Sequence, residues 1–156
     1  MGSLLPGWTA ALNHHPAFVH FPIVLWLAAL LFEILSLRRR SDPTHDLACY
    51  LLYLGTLTAV LAVVTGLNAE ATVATDEVAH ALEVHEELML TSFFLATGLS
   101  VFAYFSRRRL THALKMVLLA GLVLLALLVT LGADRGAEMV YRYGLGVNWS
   151  TAIQQK

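Results

Sequence analysis

The sequence predicts an all-α protein: a bundle of four transmembrane helices with both termini outside. Of its 156 residues, 58% are hydrophobic and only 13% are charged, whereas about a quarter of an average soluble domain is charged. Four apolar stretches each approach the length of about 20 helical residues that crosses a bilayer. We therefore expect a single membrane domain over residues 1–156. The net charge of −1 and the lack of a basic stripe argue against a nucleic-acid partner.

The four segments are expected in regular order along the chain. They run from Ala17 to Leu37, from Leu47 to Leu67, from Leu88 to Phe105 and from Ala113 to Leu131. The first segment does not resemble a cleaved signal peptide, because no basic region precedes it and arginines follow it directly. All four segments are therefore predicted to remain in the membrane.

Two arginine triplets determine the expected orientation. Arg38 to Arg40 follow the first segment, and Arg107 to Arg109 follow the third. Both triplets lie in short loops, where the positive-inside rule places them in the cytoplasm. The sequence therefore predicts a multi-pass membrane protein with both termini on the outer side.

The third helix and the C-terminal region are expected to extend beyond the outer surface. Thr75 can cap the third helix, with Asp76 in its first turn, so this helix would run from about Asp76 to Phe105. Residues from Gly132 to Asn148 and Trp149 contain charged, aromatic and glycine residues and are expected to form a short outer tail.

Five of the seven histidines lie at the predicted outer side: His14, His15, His20, His80 and His85. At about 1.5 Å per residue, His20 stands roughly 27 Å above Arg38, and His85 roughly 33 Å above Arg107. His15 matches the level of His85 still better, so depth leaves His15 and His20 both open. The pairs His15/His20 and His80/His85 are spaced by five residues, which turns the side chains about 140° apart on a helix. The simplest site therefore takes one histidine from each helix.

Two imidazoles that face each other in a helix bundle can hold a haem iron axially. The chain has no C-x-x-C-H motif, so such a haem would be bound non-covalently as haem b. Arg135 and Arg142 could then bind the haem propionates. An aromatic belt with solvated arginines explains the same residues equally well.

Other interpretations of the polar residues remain open. His80, Glu83 and Glu87 share a helix face and, with His14, His15 or His20, could bind zinc, copper or iron. A structural membrane module with solvated histidines is a further alternative. Cys49 is expected to be a small packing residue, and Glu33 to form a structural ion pair. The sequence contains no G-x-S-x-G nucleophile-elbow motif, so it gives no indication of hydrolytic catalysis.

The stretch from His15 to Ile23, HPAFVHFPI, resembles the HPxxVHFPI signature of a bacterial membrane family, domain of unknown function 2231. His85 and the stretch from Gly136 to Val147 resemble other recurrent parts of that family. The resemblance covers nearly the whole chain and implies a four-helix protein of the bacterial inner membrane, multi-pass with both termini outside. Relatives joined to c-type cytochrome or Rieske-type domains also imply a role close to electron transfer.

With this resemblance, the preferred hypothesis is a membrane b-type cytochrome module with His20 and His85 as axial ligands. His15 and His80 would be their neighbours, or would hold a second haem if the outer slot is large enough. The module would transfer single electrons between a periplasmic partner and quinone or another membrane carrier. It would be an electron-transfer protein, not a catalyst on its own, and a homo-oligomer is compatible with this role.

Overall fold

The computed structural model describes residues 4–39, 42–70, 77–107 and 111–146, and the regular secondary structure of these residues is helical throughout. A short helix precedes four long ones: α1 (Pro6–Ala10), α2 (His15–Arg39), α3 (Asp42–Glu70), α4 (Ala79–Ser106) and α5 (His112–Tyr143). Each of α2 to α5 is long and apolar enough to cross a membrane. The predicted all-α, four-span architecture is thereby confirmed.

The four long helices form two hairpins. α2 packs most closely on α3, and α4 on α5, while the hairpins meet through fewer contacts between α2 and α5 and between α3 and α4. The helices therefore follow one another around the bundle, and α2 and α4 lie on a diagonal. We call the end where α2 and α4 begin the histidine end, and the opposite end the arginine end.

Small residues bring the helices of the bundle close together. Ala29 of α2 and Ala96 of α4 are completely buried, as is Leu52 of α3. A Cβ atom on Gly55 would lie 2.6 Å from the ring of Trp26, so only glycine admits this indole. Close approach at small residues is typical of membrane helices, whose association has no help from water.

Large apolar side chains cover the outer surface of the bundle. Leu57 is 68% exposed and Phe94 is 67% exposed, and similar residues recur on all four long helices. A soluble protein rarely exposes so much contiguous apolar surface. This surface fits direct contact with the hydrocarbon of a lipid bilayer.

The end of α5 adds detail to the expected outer tail. The residues from Gly132 to Tyr143, which the sequence assigns to that tail, form about three further turns of α5. Gly132 and Gly136 lie within this helix. Their lack of a side chain leaves room for Met89 and His85 of α4. The helix instead ends at Gly144, whose φ of 68° is left-handed and is typical of a helix C-terminus.

The beginning of α4 also differs from the expected cap. α4 starts at Ala79, and Val78 at the N-cap makes no side-chain hydrogen bond. Thr75 and Asp76 lie outside the described residues. α4 nevertheless places His80 and His85 in its first two turns, close to the histidine end.

Candidate functional site

His15, the first residue of α2, has its imidazole between α2 and α3. Its Nδ1 lies 3.2 Å from Oγ1 of Thr65. The Thr65 hydroxyl lies 2.8 Å from the carbonyl of Leu61, and when it donates there its oxygen can accept from Nδ1–H of His15. A Cβ on Gly66 would lie 3.1 Å from Cε1 of His15, so this glycine makes room for the ring.

His85 on α4 is held by α5 in the same way. Its Nδ1 lies 2.8 Å from the carbonyl oxygen of Gly132. A carbonyl oxygen can only accept, so Nδ1 of His85 carries a hydrogen. A Cβ on Gly136 would lie 3.2 Å from Cε1 of His85, and this glycine again makes room for the imidazole.

The two imidazoles therefore share one arrangement. Each histidine belongs to the first helix of a hairpin, and its Nδ1 lies within hydrogen-bond distance of an oxygen on the second helix. In the neutral ring, a hydrogen on Nδ1 leaves the lone pair on Nε2, the form that binds a metal. His15 and His85 are close enough to interact electrostatically, although they belong to diagonally opposite helices.

The remaining histidines of this end do not join the pair. His20 is exposed, and its Nδ1 lies 2.6 Å from the carbonyl of Pro16 on its own helix. His80 is exposed near the start of α4. His14 contacts Trp8, with ring centroids 3.9 Å apart and ring planes tilted by 37°. The five-residue spacing explains why His15 and His85 lie between helices while His20 and His80 face outward.

Arg135 and Arg142 lie on the last turns of α5 and both bind Glu138. Their guanidinium nitrogens are 2.8 Å and 3.0 Å from its two carboxylate oxygens. Both arginines are largely exposed, at 48% and 69%. Sequence reasoning missed Glu138, although spacings of three and four residues on a helix indicate such pairs.

Sequence reasoning did not link Thr65, Gly66, Gly132 or Gly136 to the histidines. Counting residues from each turn could have shown which positions face the histidines. Gly66 lies as many positions after residue 41 as His15 lies before residue 40, and Gly132 stands within one position of the level of His85. In an antiparallel hairpin, residues equally distant from the turn lie side by side.

The pair supplies two nitrogen donors and no more. Within residues 4–39, 42–70, 77–107 and 111–146, no three His, Cys, Asp or Glu side chains could hold a metal ion together. His80, Glu83 and Glu87 are all exposed on α4. Two imidazoles suffice only for an ion whose other ligands come from elsewhere, as in a porphyrin.

The fold defines an integral membrane protein of four helices with an imidazole pair near one end. The chain belongs to the family DUF2231, described as predicted membrane protein, whose family model matches residues 11–149. This match confirms the family predicted from the sequence. Neither the curated proteins nor the solved structures contain a match to this chain.

Proposed function

We propose that this protein is a membrane b-type cytochrome module, with one haem b held between His15 and His85. The observation that carries this proposal is the matched anchoring of the two rings. Each Nδ1–H is fixed on the partner helix of its hairpin, by Thr65 for His15 and by Gly132 for His85. Each ring therefore offers Nε2 as the iron ligand.

The seam between the hairpins offers a place for a flat group. The hairpins contact each other less closely than the helices within each hairpin do. His15 belongs to one hairpin and His85 to the other, so a porphyrin bound by both would lie in this seam. Leu88 and Met89, one turn after His85 on α4, pack against Gly132 of α5 and add apolar surface near this ring.

The chain's own residues would orient and tune the bound group. Hydrogen bonds from Nδ1–H to Thr65 and Gly132 fix the direction of each ring and raise its basicity as a ligand. The surrounding helices exclude water, which also affects the reduction potential. When bound, haem supplies one-electron chemistry.

The partners of this module follow from its expected orientation. Arg38 and Arg107 mark the arginine end, which favours the cytoplasm for that end and the periplasm for the histidine end. The proposed role is electron transfer between a periplasmic redox protein and quinone or another membrane carrier. The ligand pair differs from the His20 and His85 preferred on sequence alone, because His15 has the anchored position.

A visible spectrum of the purified full chain tests the proposal. After expression with adequate haem supply, we expect the Soret and α bands of a six-coordinate, low-spin haem. His15→Ala and His85→Ala should each lose at least about 90% of this signal, and added imidazole should restore part of it. A chain without a Soret band would contradict the cytochrome function.

Two further variants separate the ligands from their neighbours. His20→Ala should keep the spectrum, because this side chain is exposed and bonded to its own helix. His112→Ala, at the arginine end, serves as the matched control. A spectrum lost in His20→Ala but kept in His15→Ala would overturn the assignment of the ligand on α2.

A further inference from the structure

A second group of polar side chains lies near the arginine end, between α2 and α3. Glu33 is fully buried, and its Oε2 is 2.7 Å from Nδ1 of His45, which is only 3% exposed. Nε2 of His45 is 3.4 Å from Sγ of Cys49, one turn further along α3. The imidazole therefore links a carboxylate on one side to a thiol on the other.

The charge of this group depends on His45. An uncompensated carboxylate inside a membrane protein is strongly unfavourable. Oε1 of Glu33 has no hydrogen-bond partner among the described residues. Within that part of the chain, the carboxylate is hydrogen-bonded through Oε2 to His45. A second proton on His45 makes the pair neutral, and loss of that proton leaves one negative charge.

Cys49 can stay hydrogen-bonded to His45 whether the imidazole carries one proton or two. Nδ1–H of His45 can donate to Glu33 in both states. When Nε2 is protonated it donates to the sulfur, and when it is not it accepts from the thiol S–H. Nε2 therefore keeps its hydrogen bond in both states, which a partner able only to accept would not permit.

Water at the arginine end is close to the group. His45 lies about 5 Å along α3 from its start at Asp42, and Glu33 about 9 Å along α2 from its end at Arg39. Ser36, also buried, donates to the carbonyl of Glu33 at 2.9 Å. A proton from solution at the arginine end therefore needs to move only a short distance to reach His45.

Further titratable and charged groups lie near this site on α3, α4 and α5. Tyr53 of α3 interacts with Cys49, and Arg107, at the end of α4, interacts with Tyr53. Lys115 lies in the first turns of α5 at the same end, and Asp46 is exposed on α3. Cations at this end, which include Arg38, Arg107 and Lys115, favour the negatively charged state left by proton release.

We propose that Glu33, His45 and Cys49 form a proton-binding site inside the bundle, which takes up and releases one proton at the arginine end. The proton comes from the aqueous phase and returns to it, so no other reactant is required. The site lies at the opposite end from His15 and His85. It is therefore independent of the proposed haem.

Nitrogen-15 NMR of the histidine-labelled full chain in lipid nanodiscs tests this site. His45→Gln assigns the signals of His45. We expect both nitrogens to be protonated at low pH, and Nε2 alone to lose its proton as the pH rises between about 5 and about 10. Unchanged His45 signals over this range would show a fixed structural ion pair and overturn the proposal.

Variants test the role of each partner. Glu33→Gln removes the negative charge, so the doubly protonated form of His45 should lose at least about tenfold in population. His112→Gln, a change at an exposed position of the same end, should leave the His45 transition unaltered. An unaltered transition in Glu33→Gln would contradict the proposed pairing.

Cys49 is tested by two substitutions of similar size. Cys49→Ser keeps a group that both donates and accepts, so the transition should persist. Cys49→Val removes that group and should shift the midpoint by at least about one pH unit. Equal behaviour of the two variants would exclude Cys49 from the site. The wild-type titration decides the main question even if a variant fails to fold.

Discussion

At the scale of single residues, two glycines determine where the imidazoles lie. Gly66 faces His15 and Gly136 faces His85, and a Cβ on either would lie within 3.2 Å of the ring. Contacts this short force the neighbour to move. The positions of both candidate ligands therefore depend on the absence of a side chain on the facing helix.

Gly136→Ala and Gly66→Ala should each displace an imidazole and weaken haem binding by about tenfold, the lower range for changes behind a metal ligand. Haem titration followed at the Soret band measures the effect. Gly98→Ala is the matched control, because no atom lies within 4 Å of its added Cβ. Equal affinity in all three variants would contradict the proposed packing.

Thr65→Val should also lower haem affinity by about tenfold, because it removes the oxygen that accepts from Nδ1–H of His15. Valine has nearly the same shape as threonine, so packing is retained. Thr130→Val removes a hydroxyl that bonds one turn back within α5 and should have no such effect. The same Soret titration compares the two variants.

Sequence reasoning could place the histidines at one end but could not choose between His15 and His20. These residues differ in depth by little more than one helical turn, which tilt can hide. The choice depends on which side of α2 packs on α3, and Gly66 and Thr65 of α3 lie at this contact, against His15. A resemblance over the motif from His15 to Ile23 includes both histidines and does not separate them.

At the scale of helices, hydropathy found every span but not the helix ends. It recognises residues suited to hydrocarbon, and helices continue into the interface where composition changes. The fourth apolar segment therefore ends at Leu131, although the helix α5 runs to Tyr143. The last turns contain the glycine contacts with His85, so the boundary matters to the site.

Hydrogen exchange measures the corrected end of α5 directly. Backbone amides from Gly136 to Tyr143 should exchange at least about tenfold more slowly than that of Gly146, which follows the helix cap. Peptide-resolved mass spectrometry in nanodiscs provides the measurement. Exchange as fast as that of Gly146 throughout this stretch would show a tail without stable helical structure.

At the scale of the whole molecule, the order of the helices around the bundle could not be predicted from the sequence. In a membrane, lipid-facing and interior residues are both apolar, so no polar face indicates which side of a helix is buried. Exposed Leu57 and buried Leu52 on α3 are the same residue type. The diagonal placement of α2 and α4 therefore became visible only in the structure.

Haem should stabilise the entire bundle, since it would bind the folded chain and bridge both hairpins. At free haem of about 100 times Kd, the expected gain is about 2.7 kcal/mol in unfolding free energy. Thermal unfolding with and without haem measures it. His85→Ala should abolish the gain, and a gain retained there would indicate haem binding elsewhere.

Single cysteines test the expected orientation in a Cys49→Ala background. Gly7→Cys, at a position with open space around it, should react with a membrane-impermeant maleimide on intact spheroplasts. His112→Cys, at the arginine end, should react only after permeabilisation. The reverse pattern would place the histidine end in the cytoplasm.

The division of the imidazole pair between two hairpins has a consequence for biogenesis. Neither hairpin alone contains both His15 and His85, so the complete site arises only after the second hairpin has inserted and docked on the first. Capture of haem would then mark the end of assembly. Two separately expressed halves, divided between α3 and α4, would acquire the Soret band only when they meet in the same membrane.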